Sequence, residues 1–457
     1  MKNYDAIIIG GGLSGLGVAA LLSKKGYKTI LLEKESILGG RSTSFPYRNY
    51  IIDIGLHTIA SYSSSGIGRL VEEVGAVLEL IPIKPTLMHY DLDTKKYMKA
   101  TSAERFGDAV YNKFKELVKV VCGLTKDEID AFHNISAEKW ILDNFNSRDL
   151  VEFFKQITGF GGEPLDLIPA GVFLETLHDA FTSETTIAYP AQNGIKAFSD
   201  ALERTIKSRG GEIITEINVQ KILFKNDHVT GIKGKIIRPS LDLDLEVYAP
   251  LVVFTIPLTH LPRYMDSGMI GGELLGKIAR IKSKDYYYTG LIAGVEASLL
   301  DSFSGKPFFQ WTIDRKGMDW HAMITIPTYI DSKLAPKDHH LMFVDSHVPM
   351  PFGDTVRAEK RQDELISILK EIWPNFEKKI DWLHRVIYPN IWPLAQIGIT
   401  GPDRPGFAVA GTKGLYLAGD AAYLTGSGIG SAIKSVFGCV KKIEETSDVL
   451  PKKRTHS

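Results

Sequence analysis

Residues 4–15 read Tyr4-Asp5-Ala6-Ile7-Ile8-Ile9-Gly10-Gly11-Gly12-Leu13-Ser14-Gly15. An apolar run of strand length passes into glycines at G-x-G-x-x-G spacing. Leu16, Ala19, Ala20 and Leu22 then recur at helical spacing until Lys24-Lys25 and Gly26 supply a cationic last turn and a terminating glycine. Thr29–Leu32 is a second short strand, parallel to Tyr4–Ile9 under the usual right-handed crossover, and Glu33 stands at its end. Each glycine has a separate task. Gly10 permits a tight turn, Gly12 lets backbone approach a pyrophosphate, and Gly15 lets the helix pack on the sheet. The helix start offers N–H groups and a positive dipole end to phosphates, and Glu33 can accept from ribose hydroxyls. The motif with its strands, helix and terminal acid predicts dinucleotide binding.

At 457 residues the chain is long enough for two domains, or for one large nucleotide-binding domain with a second inserted into it. With 44% hydrophobic and 24% charged residues it reads as globular. Lys plus Arg and Asp plus Glu both total 54, so no nucleic acid or other polyanion is expected as a partner. Cys122 and Cys439 lie far apart without ligand spacing, which points away from disulfides and metal and fits a reducing cytoplasm. No secretory signal or membrane-spanning run is visible, so a cytoplasmic protein is expected, with membrane contact no more than peripheral.

Further along, Thr101-x-x-Glu104 predicts a capping box ahead of a helical stripe, Phe106, Val110, Phe114, Leu117, Val118 and Val121. Leu150, Phe153, Phe154 and Ile157 form another stripe. These read as packed helices, some of whose aromatics line a hydrophobic channel. Gly194 precedes a helix that Gly210-Gly211 closes; strands Glu212–Ile214 and Val219–Phe224 follow, with a turn at Asn226-Asp227. Leu251–Ile256 is another buried strand, and residues 258–384 suggest a mixed sheet. A last strand, Leu415–Ala418, leads through Gly419-Asp420 to a glycine-rich turn and a helix from about Ser431.

Several features favour FAD. Gly39-Gly40-Arg41 follows Glu33, and a guanidinium there can grip a pyrophosphate. Asp53-x-Gly55-x-His57 comes next. Asp420 can bind ribityl hydroxyls, and the helix opened by Gly426-Ser427-Gly428-Ile429-Gly430-Ser431 would stabilise negative charge on a reduced flavin. Gly10, Gly12, Leu13, Ser14, Gly15, Glu33, Lys34, Gly40, Arg41, Gly55, Gly419, Asp420, Gly428 and Ile429 are the cofactor-binding candidates.

On Gly10–Gly15, Glu33, Gly39-Gly40-Arg41, Tyr189-Pro190 through Gly194, Val219 and Gly419-Asp420, the chain resembles the FAD-dependent amine oxidase and phytoene desaturase-like oxidoreductases, which include protoporphyrinogen oxidases. The resemblance implies an α/β fold: a Rossmann-type FAD-binding domain from discontinuous segments (1–85, 185–257 and 385–447), an α+β substrate domain (86–184 and 258–384) and a flexible tail (448–457). It also implies that Val219 meets the adenine through its backbone. Residues 397–414 lack the cysteine that carries covalent flavin in monoamine oxidases, so the FAD is expected to be non-covalent. Asp420-Ala421-Ala422-Tyr423 departs from the phytoene desaturase pattern, which leaves carotene specificity open. No second complete nucleotide fingerprint exists, and a diffusing electron acceptor, quinone or oxygen, is expected.

For catalysis, His57 is a candidate proton carrier, with a structural histidine as the competing reading. Tyr423 and Trp392 are candidate aromatic walls, with core packing as the alternative. Lys284 lies where amine oxidases keep a lysine near the flavin. The leading expectation is dehydrogenation of a hydrophobic isoprenoid or acyl compound by hydride transfer to flavin. The alternatives are a peroxide-releasing amine oxidase, a flavin-dependent double-bond isomerase or reductase, and a non-enzymatic prenyl carrier of the GDP-dissociation-inhibitor type.

Overall fold

The computed structural model describes residues 4–55, 59–61, 66–84, 87–157, 164–182, 186–238, 241–282, 286–303, 309–318, 320–351, 354–389, 395–422, 426 and 428–449. Its organising element is a five-stranded parallel sheet. Strand β1 (Ala6–Ile9) lies between β2 (Thr29–Leu32) and Leu251–Phe254, with Glu212–Ile214 and Leu415–Leu417 at the edges. These strands are short, nearly uninterrupted apolar runs because both faces of the sheet are covered.

On one face, helix α1 (Leu13–Lys24) packs with Lys196–Ser208 and the last helix, Gly428–Thr446. A Cβ on Gly17 would come within 2.9 Å of Val436 and 3.0 Å of Leu70, so glycine sets how closely α1 meets its neighbours. On the other face sit the antiparallel strands Ile217–Lys225, His228–Arg238 and Leu241–Tyr248 and the helix Gly272–Lys282. Leu258, Leu261, Met265, Ile270, Ile278 and Ile281 also belong to this core, although the sequence reading assigned residues after 257 to the substrate part.

Local differences have physical causes. The strand beginning at Leu251 stops at Phe254, not Ile256, because the Thr255 hydroxyl turns to donate to the Ile9 and Gly10 carbonyls at 2.8 and 3.2 Å. The last helix starts at Gly428, one turn before Ser431. Thr101 and Glu104 form no capping box. Ser102 precedes a single turn, Ala103–Phe106, and Gly107 at φ +80° breaks it from Asp108–Cys122. The reciprocal box is made instead by Thr125 and Glu128.

A second body is a seven-stranded, mostly antiparallel sheet. Its order is Ile380–Pro389, Tyr286–Glu296, His339–Pro351, Ala322–Thr325, Gln310–Asp314, Met88–Asp91, Lys96–Lys99. Helix Thr355–Ile372 covers one face. The hairpin of β3 (Thr43–Tyr47) and β4 (Tyr50–Ile54) meets the other face, where Tyr47 and Tyr50 approach the Trp382 ring edge-on at 5.2 and 5.1 Å. Helices Asp108–Cys122, Ala137–Phe145, Arg148–Ile157 and Ala170–Thr182 form a separate apolar core. Phe114 and Phe153 stack at 4.8 Å, and Phe154 meets Phe173 at 4.9 Å. All four are buried, so these aromatics serve the core rather than a channel. No described helix is long and apolar enough to cross a membrane.

Asp53 pins these parts together. Its buried carboxylate accepts from the Ser44 hydroxyl at 2.7 Å, the Ile195 N–H at 3.0 Å and the Tyr189 phenol. Gly194 makes room, since a Cβ there would lie 2.4 Å from Asp53 Oδ1. Burial raises the carboxyl from 3.8 to about 6, against the opposing pull of its donors. The unfolded chain therefore ionises first, and this group's contribution to stability falls as pH rises from about 4 to about 6. Asp53→Asn removes that slope: relative to native, the variant gains about 2–3 kcal/mol between pH 4 and pH 7, read from urea unfolding at both pH values.

Candidate dinucleotide-binding site

The loops at the carboxyl ends of β1, β2, Leu251–Phe254 and Leu415–Leu417 enclose a cleft of about 530 Å³. Ligands of parallel α/β sheets bind outside these strand ends, in cavities of this size.

The glycine turn is held from three sides. Gly10 N–H donates to Leu32 O at 2.9 Å, and Thr255 bonds the Ile9 and Gly10 carbonyls. Gly39 N–H donates to Gly11 O at 2.8 Å, which brings the second glycine pair against the first. Gly10 sits at φ +108°, and a Cβ there would strike Ile256 at 2.7 Å. A Cβ on Gly15 would fall 2.0 Å from Gly10 O. Gly12 differs: nothing lies within 4 Å of its absent Cβ, leaving open space over the turn where α1 begins. Leu13 and Ser14 line the cleft there, at a helix end whose first N–H groups have no intrahelical partner.

Glu33 closes one end. One oxygen accepts from Gly11 N–H, the other from Glu35 N–H at 2.8 Å, and a carboxylate retains further lone pairs for hydroxyl donors. Gly40, Arg41 and Gly55 line the middle. Gly55 adopts φ +74°, and a Cβ on it would meet Arg41 O at 2.5 Å. Gly419, Asp420, Gly428, Ile429 and Ala432 form the far wall, so a second helix N-terminus faces the same cleft. Arg41 reaches across to Asp420, Nη2 to Oδ2 at 3.0 Å, joining segments 379 residues apart.

Gly15, Lys34 and Val219 do not line the cleft. Gly15 packs beneath the turn, the task its place in the motif implies. Lys34 is exposed and does not line the cleft. Val219 is buried in the core, paired with Gly234, at a register shift between Val219 and Lys221. Its strand begins beside the site, where Ile217 N–H donates to Glu33 O at 2.8 Å. His57, Lys284, Trp392 and Tyr423 all lie outside the described residues.

Sequence reading missed Thr255 and Arg404. The fully buried Arg404 donates from Nη1 to Asp420 O and Gly426 O, both at 2.7 Å, and from Nε to Ile399 O at 2.9 Å. Burial lowers its pKa to about 10 while Asp420 opposes the shift. The guanidinium thereby clamps the loop that carries Asp420 into the last helix. Ser435 adds a tie, accepting from Gly419 N–H at 2.7 Å and donating to Ala432 O. Neither Thr255 nor Arg404 has a local sequence signal, because the partners of each lie elsewhere in the chain.

The fold and cleft define a Rossmann-type dinucleotide-binding domain. A family profile described as an NAD(P)-binding Rossmann-like domain matches residues 8–74. Beyond that domain, the chain is similar to other proteins along most of its length. It is 23% identical to a chloroplastic prolycopene isomerase of Daucus carota, over 97% of this chain and 80% of that protein. It is 22% identical to a 4,4'-diapolycopen-4-al dehydrogenase of Metabacillus indicus, over 82% of both. Its fold matches an oxidoreductase from Methanosarcina mazei with TM-score 0.72 and 21% identity, covering 96% of this chain and all of the other. Putrescine oxidase (TM-score 0.65, 12% identity, 97% and 98% covered) and a Rab GDI from Plasmodium falciparum (0.58, 13%, 97% and 99%) share it too.

Two substitutions test the site. Gly15→Ala abolishes retention of a dinucleotide, measured by equilibrium dialysis, because the added methyl cannot coexist with Gly10 O. Arg404→Met leaves three carbonyls without their donor and costs roughly 2–5 kcal/mol in urea unfolding, with a parallel loss of ligand affinity.

Proposed function

We propose that this protein binds FAD non-covalently in the cleft and uses it for redox or double-bond chemistry on an apolar, unsaturated substrate. The observation that carries the cofactor assignment is the meeting of two helix N-termini, Arg41 and Glu33 in one cleft. The βαβ unit alone would serve the adenosine half of any dinucleotide. The cleft continues past Arg41 to Asp420, Gly428 and Ile429, which suits a longer ligand whose far end needs a second helix dipole.

Each residue has a defined task. The free N–H groups at the start of α1 and the Arg41 guanidinium hold the pyrophosphate. Glu33 accepts from ribose hydroxyls while bracing the turn through Gly11. Asp420 accepts from the ribityl chain, kept in place by Arg404 and charge-matched by Arg41. The last helix presents its positive end to the ring. When bound, FAD supplies a two-electron acceptor; the protein orients it and excludes water.

The similarity to prolycopene isomerase and 4,4'-diapolycopen-4-al dehydrogenase supports the apolar substrate. The aromatic helices do not, since their rings are spent in their own core. The isomerase similarity also favours a second reading, flavin-dependent double-bond isomerisation without net oxidation. For dehydrogenation, electrons then pass to a diffusing quinone or to oxygen. The likeness to Rab GDI concerns fold, and Glu33, Arg41 and Asp420 furnish polar contacts that a prenyl carrier would not require.

The purified protein should carry or take up FAD, released intact by acid precipitation. Arg41→Ala should weaken that binding about tenfold, or about 1.4 kcal/mol. Anaerobic addition of a polyene or isoprenoid substrate should bleach the flavin if it is dehydrogenated, whereas an isomerase changes the polyene spectrum and leaves the flavin oxidised at the end. Stoichiometric reduction by NADH or NADPH alone would overturn the diffusing-acceptor assignment, and a colourless protein that cannot be reconstituted would overturn the whole reading.

A further inference from the structure

A second cavity, of about 320 Å³, lies outside the dinucleotide cleft and shares none of its lining residues. One wall is helix Lys196–Ser208. Its Phe198, Leu202 and Ile206 are fully buried in the core, while Ala197, Asp200 and Arg204 recur at helical spacing on the opposite side and line the cavity. The other walls are residues 77–79, which follow helix Ile67–Val74, and the turn 191–193 ahead of Lys196–Ser208. Backbone fixes this frame. Strands Leu80–Pro82 and Thr186–Pro190 pair, and Ala191 N–H donates to Glu79 O at 3.1 Å. Asn193 and Gly194 turn at φ +64° and +62°, and Ile195 N–H is held by Asp53 at 3.0 Å.

The charges around this cavity are only partly matched. Asp200 stands one helical turn from both Lys196 and Arg204, and its carboxylate pairs with Lys196. Arg204 is exposed, and so is Glu79 on the neighbouring segment. Among the described residues neither of these two side chains forms a hydrogen bond or ion pair, with the other or with a third group. Gln192 and Asn193 add exposed amides to the lining. Val77 stands beside them 84% exposed, the most exposed large apolar side chain among the described residues.

With Lys196 offsetting Asp200, the cavity presents one open cation and one open anion. We propose that it binds a free α-amino acid with a short aliphatic side chain, as the zwitterion. Arg204 takes the carboxylate in a bidentate pair, and Glu79 takes the ammonium. The Gln192 and Asn193 amides both donate and accept, and serve the remaining polar positions. Val77, Leu78 and Ala197 cover the aliphatic side chain. The volume stands at the small end of the range for ligand sites, as such a molecule requires. A ligand with net charge would leave one of the two open groups unmatched; the zwitterion satisfies both. Because cavity and cleft share no residue, the amino acid binds alongside the dinucleotide and does not compete with it.

Isothermal titration of the purified protein with L-valine, N-acetyl-L-valine and L-valine methyl ester tests each contact. L-Valine should bind with a Kd of about 1 mM or tighter. Each capped derivative, lacking one charge, should bind about tenfold more weakly. Arg204→Gln and Glu79→Gln, both at exposed positions, should each weaken L-valine about tenfold. Arg204→Gln should also abolish the preference over the methyl ester, and Glu79→Gln the preference over the N-acetyl form. Saturating FAD should leave the L-valine affinity unchanged. Absence of heat up to about 20 mM L-valine overturns the proposal, as does either substitution that leaves its affinity within about twofold of native. A capped derivative that binds as tightly as L-valine, or competition between L-valine and FAD, overturns it equally.

Discussion

The approach of α1 to the end of β1 governs this molecule. A single methyl group at Gly15 would lie 2.0 Å from Gly10 O, so glycine alone lets the helix start directly above the strand it follows. From that contact the helix N-terminus gains its place over the sheet edge, and the turn gains the open space beside Gly12. Thr255, Leu32 and Gly39 then hold the turn through hydrogen bonds to backbone. Because the constraint is steric, the geometry is set before any ligand arrives. A preformed array of dipoles costs little to reorganise on binding.

The far wall is organised by charge rather than sterics. Arg41 and Asp420 neutralise one another across the cleft, and Arg404 holds the Asp420 loop by its carbonyls. Burying a guanidinium is expensive unless its donors are filled, and Arg404 meets that condition with three backbone oxygens. Arg404, which does not line the cleft, thus ties Asp420 to Gly426 ahead of the second helix N-terminus. The two arginines divide the work: one is half-exposed at the ligand surface, the other is sealed behind it.

The second body shows a similar division. Its helices use their large aromatics internally, and the helix-covered face of its sheet is equally closed. Polar groups gather where Gly290 leaves room on the other face. The β3–β4 hairpin links the two bodies, since Asp53 ties it to Tyr189 and the start of helix Lys196–Ser208 while Tyr50 rests on the sheet. The hairpin therefore couples the sheet, through apolar packing, to the cleft-bearing part, through one buried carboxyl.

Sequence alone determined the βαβ unit, the turn glycines, Glu33 and the Gly39-Gly40-Arg41 and Gly419-Asp420 segments. These are legible because each imposes a local backbone demand, a tight turn, a close approach or a strand end, that few residue types satisfy. The same logic misled at Thr101 and Glu104, where Gly107 at φ +80° interrupts the helix the pattern required. The aromatic stripes were legible as packed helices, but not what they pack against, since periodicity shows that a face is buried and no more. Only the tertiary structure decided that Thr255 braces the turn, that Arg404 clamps the Asp420 loop, and that Arg41 and Asp420 pair. Those partnerships join segments up to hundreds of residues apart. Their existence depends on strand order and register, which no local pattern encodes.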